Sequence, residues 1–147
     1  MAEESTQVNE TIGYLIAQIC KSHRNCVNDV LSTLNLHVGQ EMILMRLWQG
    51  DGIAQSELVD SICVQPATIT RTLGRMEQAG LIVRHVDMED QRISRVFLTL
   101  AGRQLEKQVL ALWQQVEQSM VCNFTVEERV LLRRLLLQLH TNLSKTG

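Results

Sequence analysis

Between Gln65 and Leu98 the chain changes its hydrophobic period, and that change constrains the fold more than any other feature. Pro66 stands where proline favours a first helical position, because the N–H it lacks has no intrahelical partner there. Ile69, Leu73 and Met76 then recur at i, i+4 and i+7, and Gly80 follows as a left-handed helix terminator. Directly after it come two β-rich runs, residues 81–86 and 93–98, separated by the polar stretch 87–92. The pattern predicts a capped helix feeding a β-hairpin with a charged tip. A shorter helix is predicted over residues 55–62, so that only Cys63 and Val64 separate the two. Two helices this close form a helix-turn-helix, and the hairpin makes it winged.

The flanking sequence is helical. Val8, Ile12, Leu15, Ile16, Ile19, Val27, Val30, Leu31 and Leu34 predict one long helix over about 8–34. A second spans about 39–48, with Trp48 read as core, and Gly50-Asp51-Gly52 breaks it. Thr99 is placed to cap a helix that is apolar at Leu100, Leu105, Val109, Leu112, Val116 and Met120. Thr125-Val126-Glu127-Glu128 reads as a capping box opening a last, leucine-rich helix that runs to Leu143. The expected fold is mainly α (α+β): one domain over 1–147, with a winged helix-turn-helix at about 39–102. The apolar runs of the terminal helices, about 8–34 and 104–144, exceed what a chain of 147 residues can bury alone. They predict a helical dimerisation region. The polar ends, residues 1–6 and 144–147, are expected to fray.

Composition narrows the class. Apolar residues make up 45% of the chain, which excludes disorder for the bulk, yet no run reaches the roughly 20 residues of a membrane span. The acidic start is not a secretory signal, so the expected location is the cytoplasm. Net charge is −2, but its distribution is uneven. Residues 1–60 carry three bases and eight acids, whereas residues 61–103 carry six bases, all arginine, and four acids. Arginine suits bidentate contacts to phosphates and base edges. No metalloprotease, phosphate-loop or serine-hydrolase motif is present, so neither an enzyme nor a cofactor is expected. Cys20, His23 and Cys26 resemble metal ligands only superficially. Helical residues six apart are separated by roughly 9 Å of rise, whereas two thiolates on one zinc stand about 4 Å apart. No metal site is expected, and the four cysteines read mostly as reduced, buried small hydrophobes.

The stretch Pro66-Ala67-Thr68-Ile69-Thr70-Arg71-Thr72-Leu73-Gly74-Arg75-Met76-Glu77-Gln78-Ala79-Gly80-Leu81-Ile82 resembles the recognition helix of the MarR family and its exit into the wing. Asp90-Gln91-Arg92, followed by Val96-Phe97-Leu98-Thr99-Leu100-Ala101-Gly102, resembles the family's wing signature, and the spacing between the two blocks matches. Gly74 departs from the pattern, which more often carries a polar residue there. The resemblance implies a homodimer with interleaved terminal helices that binds pseudo-palindromic double-stranded DNA operators, mostly as a repressor. It also implies release by a small amphipathic aromatic effector or, in some members, by oxidation of cysteine. Lys21, His23 and Arg24 on the first helix are then candidate effector contacts, and Cys20 and Cys122 candidate redox sensors.

Physical chemistry supports the same residues. A helix fits the major groove, where each base pair shows a distinct donor–acceptor pattern. Arg71 and Arg75 lie one turn apart and can reach one groove. Thr68 and Thr70 suit phosphates or a thymine methyl, and Gln65 sits where helix N–H groups favour a phosphate. Arg92 resembles the family's minor-groove arginine, with Asp90 placed to guide it. Arg84 is a further phosphate candidate and Arg95 a further wing contact to DNA. The competing readings are a solvated helix face, ordinary hairpin-tip charges, a helical protein-interaction module and a thiol-based redox sensor.

Overall fold

The structure is a computed structural model that describes residues 7–62 and 65–145. The Cys63-Val64 turn and the expected fraying at residues 1–6, 146 and 147 lie outside the described residues, and Ser144 closes the last helix. The chain forms two compact units, residues 1–113 and 114–147.

The first unit opens with a 3-10 turn, Val8–Glu10, and helix α1, Ile12–Ser32. The single helix expected from residue 8 is therefore interrupted at Thr11. That residue is extended (φ −79°, ψ 148°), and its hydroxyl accepts the Tyr14 N–H at 3.2 Å, a favourable N-cap. Helix α1 ends where Asn35 turns left-handed (φ 56°) and the Leu36 N–H closes back on the Leu31 carbonyl at 3.1 Å. Of α1, only Val27 and Leu31 are buried.

Helix α2 (Gln40–Gln49) leads into strand β1 (Ile53–Ala54), helix α3 (Gln55–Ile62) and helix α4 (Pro66–Gln78). Strands β2 (Ile82–Val86) and β3 (Ser94–Leu98) follow, and then helix α5 (Leu100–Gln104). The sheet is antiparallel in the order β1-β3-β2, with Ile53 opposite Val96 and Arg84 opposite Val96 on the other side. The core beneath the sheet draws on Ile43, Leu44 and Leu47 of α2, Leu58 of α3, Ile69, Leu73 and Met76 of α4, and Ile82, Val96 and Leu98 of the strands. Trp48, expected in the core, is only half-buried; its indole N–H donates to the Gly102 carbonyl at 3.1 Å.

Two glycines shape the exit from α4. Gly80 takes φ +74°, and the Leu81 N–H returns to the Met76 carbonyl at 3.0 Å, which stops the helix and launches β2. Thr99 then caps α5, accepting the Gly102 N–H at 3.2 Å and donating to the Gly80 carbonyl at 2.6 Å. Gly102 packs so closely that a Cβ would stand 2.2 Å from the Leu81 carbonyl oxygen. Gly102→Ala is therefore expected to destabilise the fold by about 3 kcal/mol, the upper range for overpacking against backbone. Denaturant unfolding would measure it, and a stability unchanged within error would contradict the close packing.

The helix expected from Leu100 to Met120 is two helices, α5 and α6 (Glu106–Met120). They part at Leu105, whose ψ relaxes to −15°. In the second unit, the last helix, α7 (Val126–Ser144), begins on the Thr125–Glu128 capping box. The Glu128 N–H donates to the Thr125 hydroxyl at 3.2 Å, and the Thr125 N–H donates to the Glu128 carboxylate at 2.8 Å. No residue of α7 is buried in the chain. Val126, Val130, Leu131, Leu135, Leu136, Leu137 and Leu143 are 42–73% exposed. Among the described residues no helix is long and apolar enough to cross a membrane.

Candidate nucleic-acid interface

Helix α4 has two faces because its apolar residues share one stripe. Ile69, Leu73 and Met76 point into the core, and Gln65, Thr68, Thr70, Arg71 and Arg75 are exposed. Gln65 is the N-cap residue; its carbonyl accepts the N–H groups of Thr68 and Ile69 at 3.0 and 3.2 Å, and its own side chain makes no capping hydrogen bond. The N-terminal end of a helix carries the positive end of its dipole and favours an anion.

Thr70 does something the sequence did not suggest. It donates its hydroxyl to the Pro66 carbonyl (3.1 Å) and accepts the Gln55 side-chain amide (3.0 Å), clasping α3 to α4. Gln55 was missed because this pairing spans 15 residues and leaves no local pattern.

The six arginines of residues 61–103 divide into two groups. Arg84 pairs with Glu77, Arg92 with Asp90, Arg95 with Asp87, and Arg103 with Asp51. Among the described residues, Arg71 and Arg75 make no ion pair and no side-chain hydrogen bond. Both unpaired guanidinium groups stand one turn apart on the exposed face of α4.

The pairs brace the wing, which is the β2–β3 hairpin. Glu77, on α4, accepts the Arg84 backbone N–H at 3.0 Å and its Nη2 at 3.1 Å, joining recognition helix to wing strand. The Arg84 guanidinium holds the Glu77 carboxyl below the usual range. Arg95 binds Asp87 and also donates to the Gly52 carbonyl at 3.0 Å, tying the hairpin to the turn before β1. Asp51 accepts the Leu98 N–H at 2.9 Å from the same turn. Glu77, Asp87 and Asp51 were not singled out from the sequence. Of the three, Asp87 carried a usable signal, since an aspartate at a turn start commonly accepts backbone N–H groups just ahead of it.

Arg92 is the outlying member. Its Nε and Nη2 each lie 3.0 Å from the two Asp90 oxygens, a bidentate pair, yet its side chain is 91% exposed. It lines an open groove of about 490 Å³ with Ser94, with Gln55 and Ser56 of α3, and with Pro66 and Thr70 of α4. The wing tip and the start of α4 therefore share one concave surface. The Arg92 hydrogen bonds also keep the Asp90 carboxyl low.

Asp87 is lowered furthest, from 3.8 to about 2, chiefly by the Arg95 guanidinium and then by the N–H groups of Asp90 and Glu89. A carboxyl depressed in the folded state stabilises fully above its unfolded value and ceases to do so as pH falls through the folded one. The wing is therefore expected to loosen between about pH 4 and pH 2, seen as faster amide exchange at Glu89 and Asp90. Equal protection of those amides at both ends of that window would refute it.

The other candidate residues are not gathered into one site. Lys21 and Arg24 are exposed on α1, and Lys21 lines a shallow polar pocket with Tyr14, Gln18 and Asn25. His23 faces elsewhere, edge-on to Trp113 at 5.7 Å. The Trp113 indole nitrogen is buried without a partner among the described residues, a feature with no local sequence signature. Cys20, Cys26 and Cys122 are free and exposed in the single chain, which corrects the expectation of buried thiols. Cys20 and Cys26 lie on α1, and Cys122 lies in the turn between α6 and α7. Among the described residues no cluster of three metal-binding side chains occurs.

Helices α3 and α4 followed by a braced two-strand wing that reaches the same groove define the winged-helix class of DNA-binding proteins. Comparison with known proteins agrees. The MarR family model matches residues 36–94. The crystal structure of MarR is 30% identical and superposes with a TM-score of 0.82, covering 95% of each chain. A MarR-family transcriptional regulator from Listeria monocytogenes, solved with 26mer DNA, is 25% identical with a TM-score of 0.83, covering 93% of this chain and 91% of that one. YdgJ, an HTH-type transcriptional regulator of Bacillus subtilis (strain 168), is 31% identical over 102 residues. That match takes in 69% of this chain and 62% of the Bacillus regulator's length. The chain belongs to the MarR family of winged-helix transcriptional regulators.

Proposed function

We propose that the protein is a homodimeric, sequence-specific repressor that acts by binding, in the cytoplasm, and reads a pseudo-palindromic operator with two copies of α4 and two wings. The observation that carries this reading is the pair of unpaired arginines on α4. Arg71 and Arg75 contact base edges or flanking phosphates in the major groove. Gln65 and Thr68 meet phosphate at the helix N-terminus, and Arg92 enters the minor groove. Thr70, Arg84 and Arg95 serve instead as braces, since each ties one element of the fold to another, whereas Arg92 pairs only within the hairpin tip and stays exposed. The exposed apolar faces of α1 and α7 supply the dimer interface, because apolar surface on this scale marks an interface.

The test begins with duplexes selected by the protein from the source genome. Arg92→Ala is expected to weaken binding to the selected operator by about 1–3 kcal/mol per contact and to relax any A·T preference at its flanks. Asp90→Ala should give a milder version of the same defect, since the arginine remains but loses its guide. Operator affinity unchanged in Arg92→Ala would remove the wing from the interface.

The release signal in this reading is a small amphipathic aromatic molecule, for which Lys21 and Arg24 offer exposed cationic partners on α1. A ligand can shift the equilibrium only if it binds one state better. Thermal shift and operator affinity across an aromatic acid panel test this, and a panel that moves neither would exclude it. The exposure of Cys20, Cys26 and Cys122 favours oxidation as the alternative signal. A cysteine-free variant that keeps full peroxide responsiveness would exclude that route.

A further inference from the structure

Gly74 lies inside α4, where glycine is costly because the unfolded chain loses most conformational freedom there. The fold gives no reason for it. Its φ is not positive, and a Cβ built at the position meets nothing within 4 Å. Other glycines explain themselves: Gly39, Gly52 and Gly80 have positive φ, and Gly102 packs on backbone. Gly13 also faces open space, but in the first turn of α1 rather than in a helix interior.

Position decides what Gly74 serves. It lies about 130° round the helix from the centre of the buried Ile69, Leu73 and Met76 stripe. Half-exposed itself, it is about 60° round the helix from Arg71, and Arg75 lies about 40° beyond Arg71 on the far side. The bare backbone at Gly74 thus borders the face that carries the two arginines of α4 with no ion pair or side-chain hydrogen bond among the described residues.

We propose that Gly74 is the point of closest approach between α4 and DNA, a positioning residue that sets how deeply the helix seats in the major groove. This rests on the docking of α4 proposed above. The major groove is about 12 Å wide, and a helix with side chains is about 10–12 Å across, so one added carbon on the contact face holds the helix off. With the Cβ absent, Arg71 and Arg75 reach base edges. With it present, they stop at phosphates, and affinity becomes less dependent on sequence.

The experiment compares the full-length wild type with Gly74→Ala, Gly74→Leu and Arg71→Ala. Thermal midpoints are measured alongside binding to one duplex that the wild type selects from a random pool, with an unselected duplex as reference. Gly74→Ala is expected to raise the midpoint by roughly 2–4 °C, because alanine is the better helix former. It should nonetheless weaken binding to the selected duplex about tenfold. Gly74→Leu should keep the fold and weaken that binding about a hundredfold, with a smaller loss on the unselected duplex. Selected-duplex affinity unchanged in either Gly74 variant, with Arg71→Ala impaired, overturns the close approach and leaves α4 docking intact. Unchanged affinity in Arg71→Ala overturns the docking itself, and the close approach with it. A lower midpoint for Gly74→Ala also overturns the proposal, since the fold would then require the glycine.

Discussion

The double variant Arg71→Ala/Arg75→Ala is expected to fold as the wild type does and to lose operator recognition almost entirely. Neither guanidinium has an ion-pair partner among the described residues, so removing both strands none of their carboxylates. The thermal midpoint should accordingly move little. In the proposed dimer binding should suffer doubly, because each protomer contributes the pair. At about 1–3 kcal/mol per specific contact, four lost contacts amount to at least about 4 kcal/mol, or roughly a thousandfold in dissociation constant. The slope of affinity against salt should flatten as well, by roughly 0.9 for each phosphate contact removed. Arg84→Ala is the contrasting control. It strands Glu77, so it should lower stability while touching recognition only through the set of the wing. Titrating these variants against one operator at several salt concentrations separates the two behaviours. A double variant that retained wild-type affinity would show that α4 does not read this DNA.

Leu136→Glu is expected to dismantle the dimer. Leu136 is half-exposed in the single chain, so a glutamate there is harmless to one protomer in isolation. In a two-fold interface the same residue occurs twice, and both new carboxylates would be buried without partners. Each uncompensated charge costs several kcal/mol, enough to raise the dimer dissociation constant by several orders of magnitude. Sedimentation should show monomer or ill-defined aggregate, and operator affinity should collapse as the second half-site is lost. An intact dimer with wild-type affinity would place the interface elsewhere than on this face of α7.

Where the determinants are local, the sequence could be read closely. Pro66 and Gly80 mark the ends of α4 to within a residue or two, Thr99 and Thr125 mark the starts of α5 and α7, and two β-rich runs around a polar stretch mark β2 and β3. Each signal comes from a backbone preference acting within one turn. Contacts made across the chain left no such trace. Strand β1 is two residues long and exists only because Ile53 and Ala54 pair with Val96 and Arg95. The break at Leu105 falls inside an unbroken apolar pattern. The arginines were legible as a cluster, but not their division. Which of them are spent on Glu77, Asp87, Asp90 and Asp51 depends on side chains that meet only after the hairpin folds back. The apolar residues of α1 and α7 were legible as helical faces, while their exposure shows that hydrophobic period locates a face without naming what will cover it.

The internal pairing of four arginines bears on how the protein finds its site. A surface whose positive charges are mostly matched by its own carboxylates holds random chromosomal sequence weakly, because such binding is driven by the release of counterions from phosphate. Dwell time on wrong sequence stays short. Few regulator molecules are then sequestered along the genome, and a small cellular pool suffices to keep a matching site occupied.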